Sequence, residues 1–427
     1  MILNQIRRIR ESTLARNAIW MFAGQGFSFV IQALYFIVLA RLLNPTQYGV
    51  LAGAAALVAV VSQYSTMGSG LILLRYVSQD QERFPEYWGN VLMSTALYGS
   101  LIVLALRLTG TWLVGTESAS LLTLIAFSDC ICGQLTTCAA QVFQSFEHMR
   151  PTATLNMLVS LFRLVLVCSM LFVMHHAIAL QWAVAMLAIS ICAACAAFAI
   201  VTRRFGWPRF RPGLLLSRGA EGFIFAISGS TTSAYNDFDK VMLGHYGMTV
   251  ANGIYSMAYR VINIATIPIQ SIEAAAFPRF FREGARGVAE VQPLAVKILK
   301  RTAILGLAAG LGLFLFAPVI PILIGKGFEP SVSALRWLCL IPVFRSFHLS
   351  AGDAIAGVGQ QKFRLACQFF AAGFNIGLNV FLIPRYLWMG AALASLLTDG
   401  SLAALTWTVL FWLRRRERMA ALTAQPA

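Results

Sequence analysis

The chain has 427 residues, of which 58% are hydrophobic and only 12% charged. A soluble globular chain is roughly 45–50% apolar and about 25% charged. The composition therefore excludes a soluble enzyme, a disordered chain and a disulfide-stapled secreted scaffold, and leaves an integral membrane protein. The formal charge of +16 would suggest nucleic acid in a soluble protein. In a membrane protein the excess base belongs in cytoplasmic loops, where topology demands it, and no nucleic-acid partner is expected.

A helix needs about 20 apolar residues to cross the hydrocarbon. The hydropathy predicts twelve such spans, at 17–40, 48–71, 89–108, 119–142, 152–174, 181–202, 220–244, 251–277, 301–324, 331–352, 363–384 and 390–413. With the N-terminus inside, 24 of the 33 Lys and Arg residues fall in the inner segments and only Arg41, Lys326 and Arg385 in the outer loops. That asymmetry predicts both termini on the cytoplasmic side. Trp20, Trp88, Trp112, Trp182, Trp388 and Trp412 fall near span ends, where amphipathic rings settle at the headgroups. The longest inner links are 203–219 and about 278–300, and the first lies at the chain's midpoint. The expected organisation is an N-terminal tail at 1–16, a six-helix bundle at 17–202, a cytoplasmic linker at 203–219, a second six-helix bundle at 220–413 and a C-terminal tail at 414–427.

Ionisable groups within spans cost several kcal/mol and are functional candidates by default. Six basic residues fall there: Arg107, Arg163, Lys240, Arg260, Arg336 and Arg345. Arg163, Arg260 and Arg345 lie at mid-span depth, whereas Arg107, Lys240 and Arg336 are nearer the outer face and can snorkel. The acids within spans are Asp129, Asp237, Asp239, Glu273 and Asp399, with Asp353 at the inner end of the tenth span. One reading is that acids and bases pair structurally, and for Asp237, Asp239 and Lys240, close together on one helix, it is the better one. For the deep arginines only Asp129 and Asp399 are at comparable depth. The other reading is then an anion site in a watery lumen formed by Arg163, Arg260 and Arg345, with Asp129 or Asp399 available for ion coupling. Pro268, Pro318, Pro321 and Pro342 cluster in spans eight to ten, where they are expected to kink the helices.

Catalytic and metal-binding constellations are missing. All eight cysteines sit inside apolar runs, and His175-His176 has neither cysteine nor acid nearby. No metal, cofactor or catalytic residue is expected. His348 shares a helix face with Arg345 three residues away.

Three motifs carry a family resemblance. The first is Ala40-Arg41-Leu42-Leu43-Asn44-Pro45-Thr46-Gln47-Tyr48-Gly49. The second is Asp237-x-x-Lys240-x-x-Leu243-Gly244, followed by Gly253-Ile254-Tyr255-x-x-Ala258-Tyr259-Arg260 and by Pro278-Arg279-Phe280. The third is Asn375-x-x-Leu378-Asn379-x-x-Leu382-Ile383-Pro384-x-Tyr386, then Gly390-Ala391-Ala392-Leu393-Ala394. In order and spacing the chain resembles the bacterial oligosaccharide flippases of the polysaccharide transporter (Wzx-type) family, in the superfamily that includes the multidrug and toxin extruders. It departs from the pattern at Asn44 and Leu387, where glycine is usual. Lipid II flippases of the superfamily usually have fourteen spans, so room for twelve favours a surface-polysaccharide unit.

The resemblance implies an all-α, MATE-like, V-shaped transporter of two six-helix bundles in the bacterial inner membrane. It implies alternating-access transport, without enzyme chemistry, of an undecaprenyl-diphosphate-linked oligosaccharide for O-antigen (lipopolysaccharide) or exopolysaccharide biosynthesis. The implied partners are the lipid-linked oligosaccharide, membrane lipid, and a polysaccharide polymerase with its chain-length regulator. Asp237, Asp239 and Lys240 then belong to a structural or gating motif. The alternatives are a multidrug or cation extruder on the same fold, whose site should be acidic or aromatic, and a membrane polysaccharide polymerase or ligase, which should carry a long outer loop.

Overall fold

The computed structural model describes residues 13–146 and 148–423. Arg7, Arg8 and Arg10 of the expected N-terminal tail and the last residues of the C-terminal one lie outside the described residues, as do the side chains of Arg16, Trp20 and Arg150.

The described chain is helical between short connections. The helices are α1 (Thr13–Leu42), α2 (Pro45–Ser62), α3 (Ser69–Val77), α4 (Phe84–Val114), α5 (Thr116–Ala126), α6 (Gln134–Ser145), α7 (Met149–Met174), α8 (Ala179–Phe205) and α9 (Pro212–His245). They continue with α10 (Thr249–Ala265), α11 (Ile267–Gly284), α12 (Val288–Phe316), α13 (Ile320–Ile324), α14 (Ser331–Leu338), α15 (Ile341–Gly357), α16 (Gln361–Tyr386) and α17 (Trp388–Thr423). Each of the twelve expected spans coincides with one of these helices or with a broken pair of them. Among the described residues nine are long and apolar enough to cross a membrane. The other three are α1, α9 and the α10–α11 pair. The described apolar part of α1 is limited to Val30–Leu42. α9 carries Asp237, Asp239 and Lys240, and the pair α10–α11 is interrupted at Thr266.

The breaks have local causes. Pro268, Pro318, Pro321 and Pro342 each stand in the first turn of a new helix, where the missing N–H costs nothing and the fixed φ favours helix. The kinks expected in spans eight to ten are therefore breaks: turns at Thr266 and at Cys339 and Leu340, and a 3-10 turn, Ala317–Val319, that leads directly into α13. Between α5 and α6 the chain widens into a π-helical stretch, Phe127–Gly133, a rare local geometry that concentrates at functional sites.

The chain forms two compact units, Met1–Ser233 and Ala234–Ala427, which divide within α9. In the first, α1 packs along α7, and α4 packs on α5. One core gathers Phe84, Tyr87, Trp88, Phe143 and Val201, and another gathers Val58, Leu106, Leu121, Leu122 and Ile125. The first motif fastens a connection of this unit. Asn44 caps α2 by accepting from the Gln47 N–H at 2.9 Å, Gln47 Oε1 accepts from the Ala179 N–H at 2.9 Å, and the Ala177 N–H donates to the Leu42 carbonyl at 3.1 Å. In the second unit, α16 packs on α17 and α12 on α15. Its cores gather Tyr255, Tyr259, Leu335 and Ile383, and Phe280, Val291, Ile355 and Leu410. The third motif closes the α16–α17 hairpin: a Cβ on Gly390 would stand 2.3 Å from the Leu382 carbonyl oxygen, so only glycine permits the approach.

Large apolar side chains are exposed along many helices, among them Leu104, Leu108, Phe172, Ile304, Leu311 and Phe381. In water that would be an aggregating surface; on a membrane protein it is the surface that meets acyl chains. The molecule is a multi-pass membrane protein.

Candidate functional site

Burying a polar group costs free energy unless it is hydrogen-bonded, and burying a charge costs more unless it is paired. The second unit nevertheless buries a chain of polar side chains in its helical interior, and the second motif supplies much of it.

Lys240, on α9, forms an ion pair with Asp237 one turn earlier and donates from Nζ to the Asn236 carbonyl at 3.0 Å. Its Nζ also lies 4.7 Å from the centroid of the Tyr259 ring. Asp239 is fully buried. It accepts from the Tyr255 hydroxyl, from Ser395 Oγ on α17 at 3.1 Å and from the Lys240 N–H at 2.7 Å. Asn252 Nδ2 donates to the Lys240 carbonyl at 3.0 Å. The triplet Asp237, Asp239 and Lys240 thus ties α9 to α10 and α17. The ion pair involves Asp237, while Asp239 is held by hydroxyls instead. On α16, Asn375 Nδ2 donates to Thr398 Oγ1 at 3.2 Å and Asn379 Nδ2 donates to Asn375 Oδ1 at 2.8 Å. The paired asparagines of the third motif therefore form a polar seam against α17.

Arg345, on α15, is buried. Its Nη1 donates to Asn263 Oδ1 at 2.8 Å and to Thr266 Oγ1 at 3.4 Å, and its guanidinium carbon lies 5.7 Å from the Tyr259 ring centroid. Two cations, Lys240 and Arg345, thus use one aromatic ring, as its quadrupole permits. Asp399 on α17 is buried and acts electrostatically on Arg345. His348 Nε2 is 3.9 Å from Asp399 Oδ1, and Asp399 Oδ2 is buried without a hydrogen-bond partner among the described residues. A layer further along, Glu273 on α11 accepts from Ser350 and Thr302, and Arg364 Nη1 pairs with Asp353 Oδ1 at 3.1 Å.

The remaining expected residues lie elsewhere. Arg260, on α10, is exposed. Arg163 and Asp129 belong to the first unit. Asp129 stands on the π-helical stretch, and Arg163 on α7 is near enough to act on its charge. The Arg163 Nε is buried without a hydrogen-bond partner among the described residues. Arg107 and Arg336 are exposed, as snorkelling groups should be, whereas Lys240, expected to snorkel with them, is buried in its ion pair with Asp237. The structure thus brings Arg345, Lys240, Asp239, Asp399 and His348 into one buried neighbourhood of the second unit, and Asp129 with Arg163 into one of the first.

Tyr259, Asn263 and Ser395 were not singled out by charge. An inventory of ionisable groups overlooks neutral acceptors and rings, although Tyr259 stands beside Arg260 in the second motif, and Asn375 and Asn379 stand four apart on one helix face.

Comparison with solved structures shows the fold. A lipid II flippase, MurJ, in an inward closed conformation superposes with a TM-score of 0.75 at 13% identity, over 92% of this chain and 87% of that one. An inward-facing multidrug resistance MATE family transporter of the MOP superfamily gives 0.66 at 16% identity, over 93% and 96%. A MOP superfamily transporter from Pyrococcus furiosus Vc1 (DSM3638), described as having a binding pocket of reverse polarity, gives 0.61 at 15% identity, over 98% of both chains. The fold is therefore that of the MATE and MOP proteins. No curated protein matches the chain. The model of one family, "Polysaccharide biosynthesis protein", matches residues 14–283, more than half of the chain, and takes in the first two motifs. The chain belongs to the polysaccharide biosynthesis protein family.

Proposed function

We propose that the chain is a flippase. It moves an undecaprenyl-diphosphate-linked oligosaccharide repeat unit from the cytoplasmic to the outer leaflet of a bacterial inner membrane, for O-antigen or exopolysaccharide biosynthesis. The observation that carries the reading is the match to a polysaccharide biosynthesis family in a chain whose described residues are almost entirely membrane helix. A synthetic enzyme of that pathway needs an extramembrane site for its chemistry; a translocator does not.

The arginines proposed to bind anion are Arg163 in the first unit and, with Arg345 behind it, Arg260 in the second. A diphosphate is a compact anion that arginine grips bidentately. Arg260 is exposed and meets phosphate directly. Arg345 is a positioning residue: through Asn263 and Thr266 it holds the end of α10, the helix that carries Arg260. Outward movement of anionic charge is favoured by an inside-negative potential, by about 2.3 kcal/mol per charge per 100 mV. Asp129, half-buried, and Asp399, buried, are the proposed coupling acids, each within reach of an arginine charge. Both termini are proposed to be cytoplasmic, and a polymerase with its chain-length regulator would receive the product.

The test is a deletion strain. It should lose surface polymer yet accumulate the complete lipid-linked unit on the cytoplasmic leaflet, read by mass spectrometry of lipid extracts and by access of a membrane-impermeant glycan label. Absence of the assembled unit would indicate a synthetic enzyme. Accumulation on the outer leaflet would indicate a polymerase or ligase.

A further inference from the structure

The exposed face of α12 changes character at one point. Ile304, Leu307, Leu311, Phe314 and Leu315 are exposed and apolar, at the three- and four-residue spacing of a single helical stripe. From Thr302 to Ile324 the chain runs without a charged residue, long enough to cross the ~30 Å of hydrocarbon. Directly below this stripe, on the same face, stand Lys297, Lys300 and Arg301, all exposed. None of the three has an ion-pair partner among the described residues, in contrast to Arg282 and Arg286, which pair with Glu283. Like charges at i, i+3 and i+4 repel, so an unpaired cationic triplet on one turn is unfavourable unless something neutralises it.

The rest of this end of the second unit is fixed beside it. The carboxylate of Glu417 accepts from the Val288 and Ala289 N–H groups, each at 3.0 Å, which pins the end of α17 to the start of α12. Arg414 donates to Gln292 on α12. Near the same end of α17, Trp412 is exposed, with the Arg416 guanidinium 5.7 Å from its ring. An exposed tryptophan under an arginine is the composition of a headgroup boundary.

We infer that this face of α12 is a binding surface for the phosphate of an anionic phospholipid, held by Lys297, Lys300 and Arg301, with Trp412 and Arg416 of α17 marking headgroup depth at the same end of the unit. The charge is complementary, and the triplet lies where the lipid-facing apolar stripe ends, at the depth of a phosphodiester and on the bilayer side of the helix. The surface does not depend on which carrier-linked sugar the protein moves, nor on its moving one.

The experiment uses the full chain in nanodiscs of phosphatidylcholine and phosphatidylglycerol in equal amounts. Lipid retained after detergent extraction is counted by native mass spectrometry. Each basic residue near an anionic surface contributes roughly fivefold in binding, so Lys297→Gln, Lys300→Gln and Arg301→Gln together should weaken phosphatidylglycerol retention by on the order of a hundredfold. They should leave phosphatidylcholine retention and the amount of folded protein unchanged. A control of equal charge, Arg203→Gln, Arg209→Gln and Lys326→Gln, should retain phosphatidylglycerol. Equal retention in the parent and the triplet variant, or equal loss in the control, overturns the proposal. So does a parent that holds a polyprenyl diphosphate lipid at this face in place of phospholipid.

Discussion

Replacing Arg345 by alanine separates a structural arginine from one that meets substrate. The side chain is buried, and its removal takes away the hydrogen bond to Asn263 at 2.8 Å, the longer one to Thr266 at 3.4 Å and the contact with the Tyr259 ring. A hydrogen bond to a charged donor contributes about 1.5–3 kcal/mol and a desolvated cation–π contact on the order of 1–2 kcal/mol. The Thr266 bond is too long to add much. Asp399 is left buried without the arginine charge, a further cost of the kind that makes broken buried pairs destabilising by roughly 3–5 kcal/mol. Arg345→Ala should therefore lower stability by about 3–5 kcal/mol, seen as reduced membrane-inserted protein and a lower melting temperature in detergent. Arg345→Lys keeps the charge and loses the planar fork, so it should recover part of the stability. Arg260→Ala, at an exposed position, should leave both quantities within about 0.5 kcal/mol while export of surface polymer per inserted protein falls. Normal melting and insertion of Arg345→Ala with loss of export would refute the positioning role and make Arg345 a direct substrate ligand. Normal export by Arg260→Ala would refute the exposed anion contact.

Glu417→Ala removes two charge-assisted acceptors from the start of α12 and should cost about 1–2 kcal/mol, read as faster proteolysis within 284–290. Leu387 adopts φ +54°, a conformation that favours glycine, and it is half exposed; Leu387→Gly should raise stability by about 1 kcal/mol, measured by thermal melting. A periplasm-active reporter should be inactive when fused to the C-terminus and active when inserted after Gly115, and the reverse pattern would overturn the proposed orientation.

The fold was legible because its signals are collective. Each of the twelve apolar runs becomes a helix or a broken pair, since a run of that length in lipid has no other way to satisfy its backbone. The broken pairs were foreshadowed by Pro268, Pro318, Pro321 and Pro342. The degree of interruption was not, because a proline in a helix can either bend it or begin a new one, and neighbouring side chains decide. The π-helical stretch around Asp129 left no mark in hydropathy, since an extra residue in one turn changes neither composition nor length appreciably. The departure at Leu387 was legible as an oddity of the third motif, and its cost became readable only with the left-handed backbone there.

The deep charges show where counting stops. Three mid-span arginines against two acids of similar depth implies an uncompensated cation that must find water or an anion. That arithmetic treats a carboxylate as the sole means of holding a buried guanidinium. Arg345 is instead held by an amide oxygen, a hydroxyl, an aromatic face and the more distant charge of Asp399, a set in which three of four members are neutral. Asp239, conversely, is a buried acid met by hydroxyls of Tyr255 and Ser395 and not consumed by Lys240, whose ion pair is with Asp237. Charge balance in such an interior is thus set by dipoles as much as by ions. A cationic site then falls to arginines that these neutral groups do not enclose. Arg260 qualifies by exposure, and Arg163 by a buried Nε that no described acceptor meets. A substrate phosphate would have its strongest effect at Arg163, because an anion gains most where the protein has left a guanidinium least satisfied, and it would reach Arg260 because that side chain is exposed.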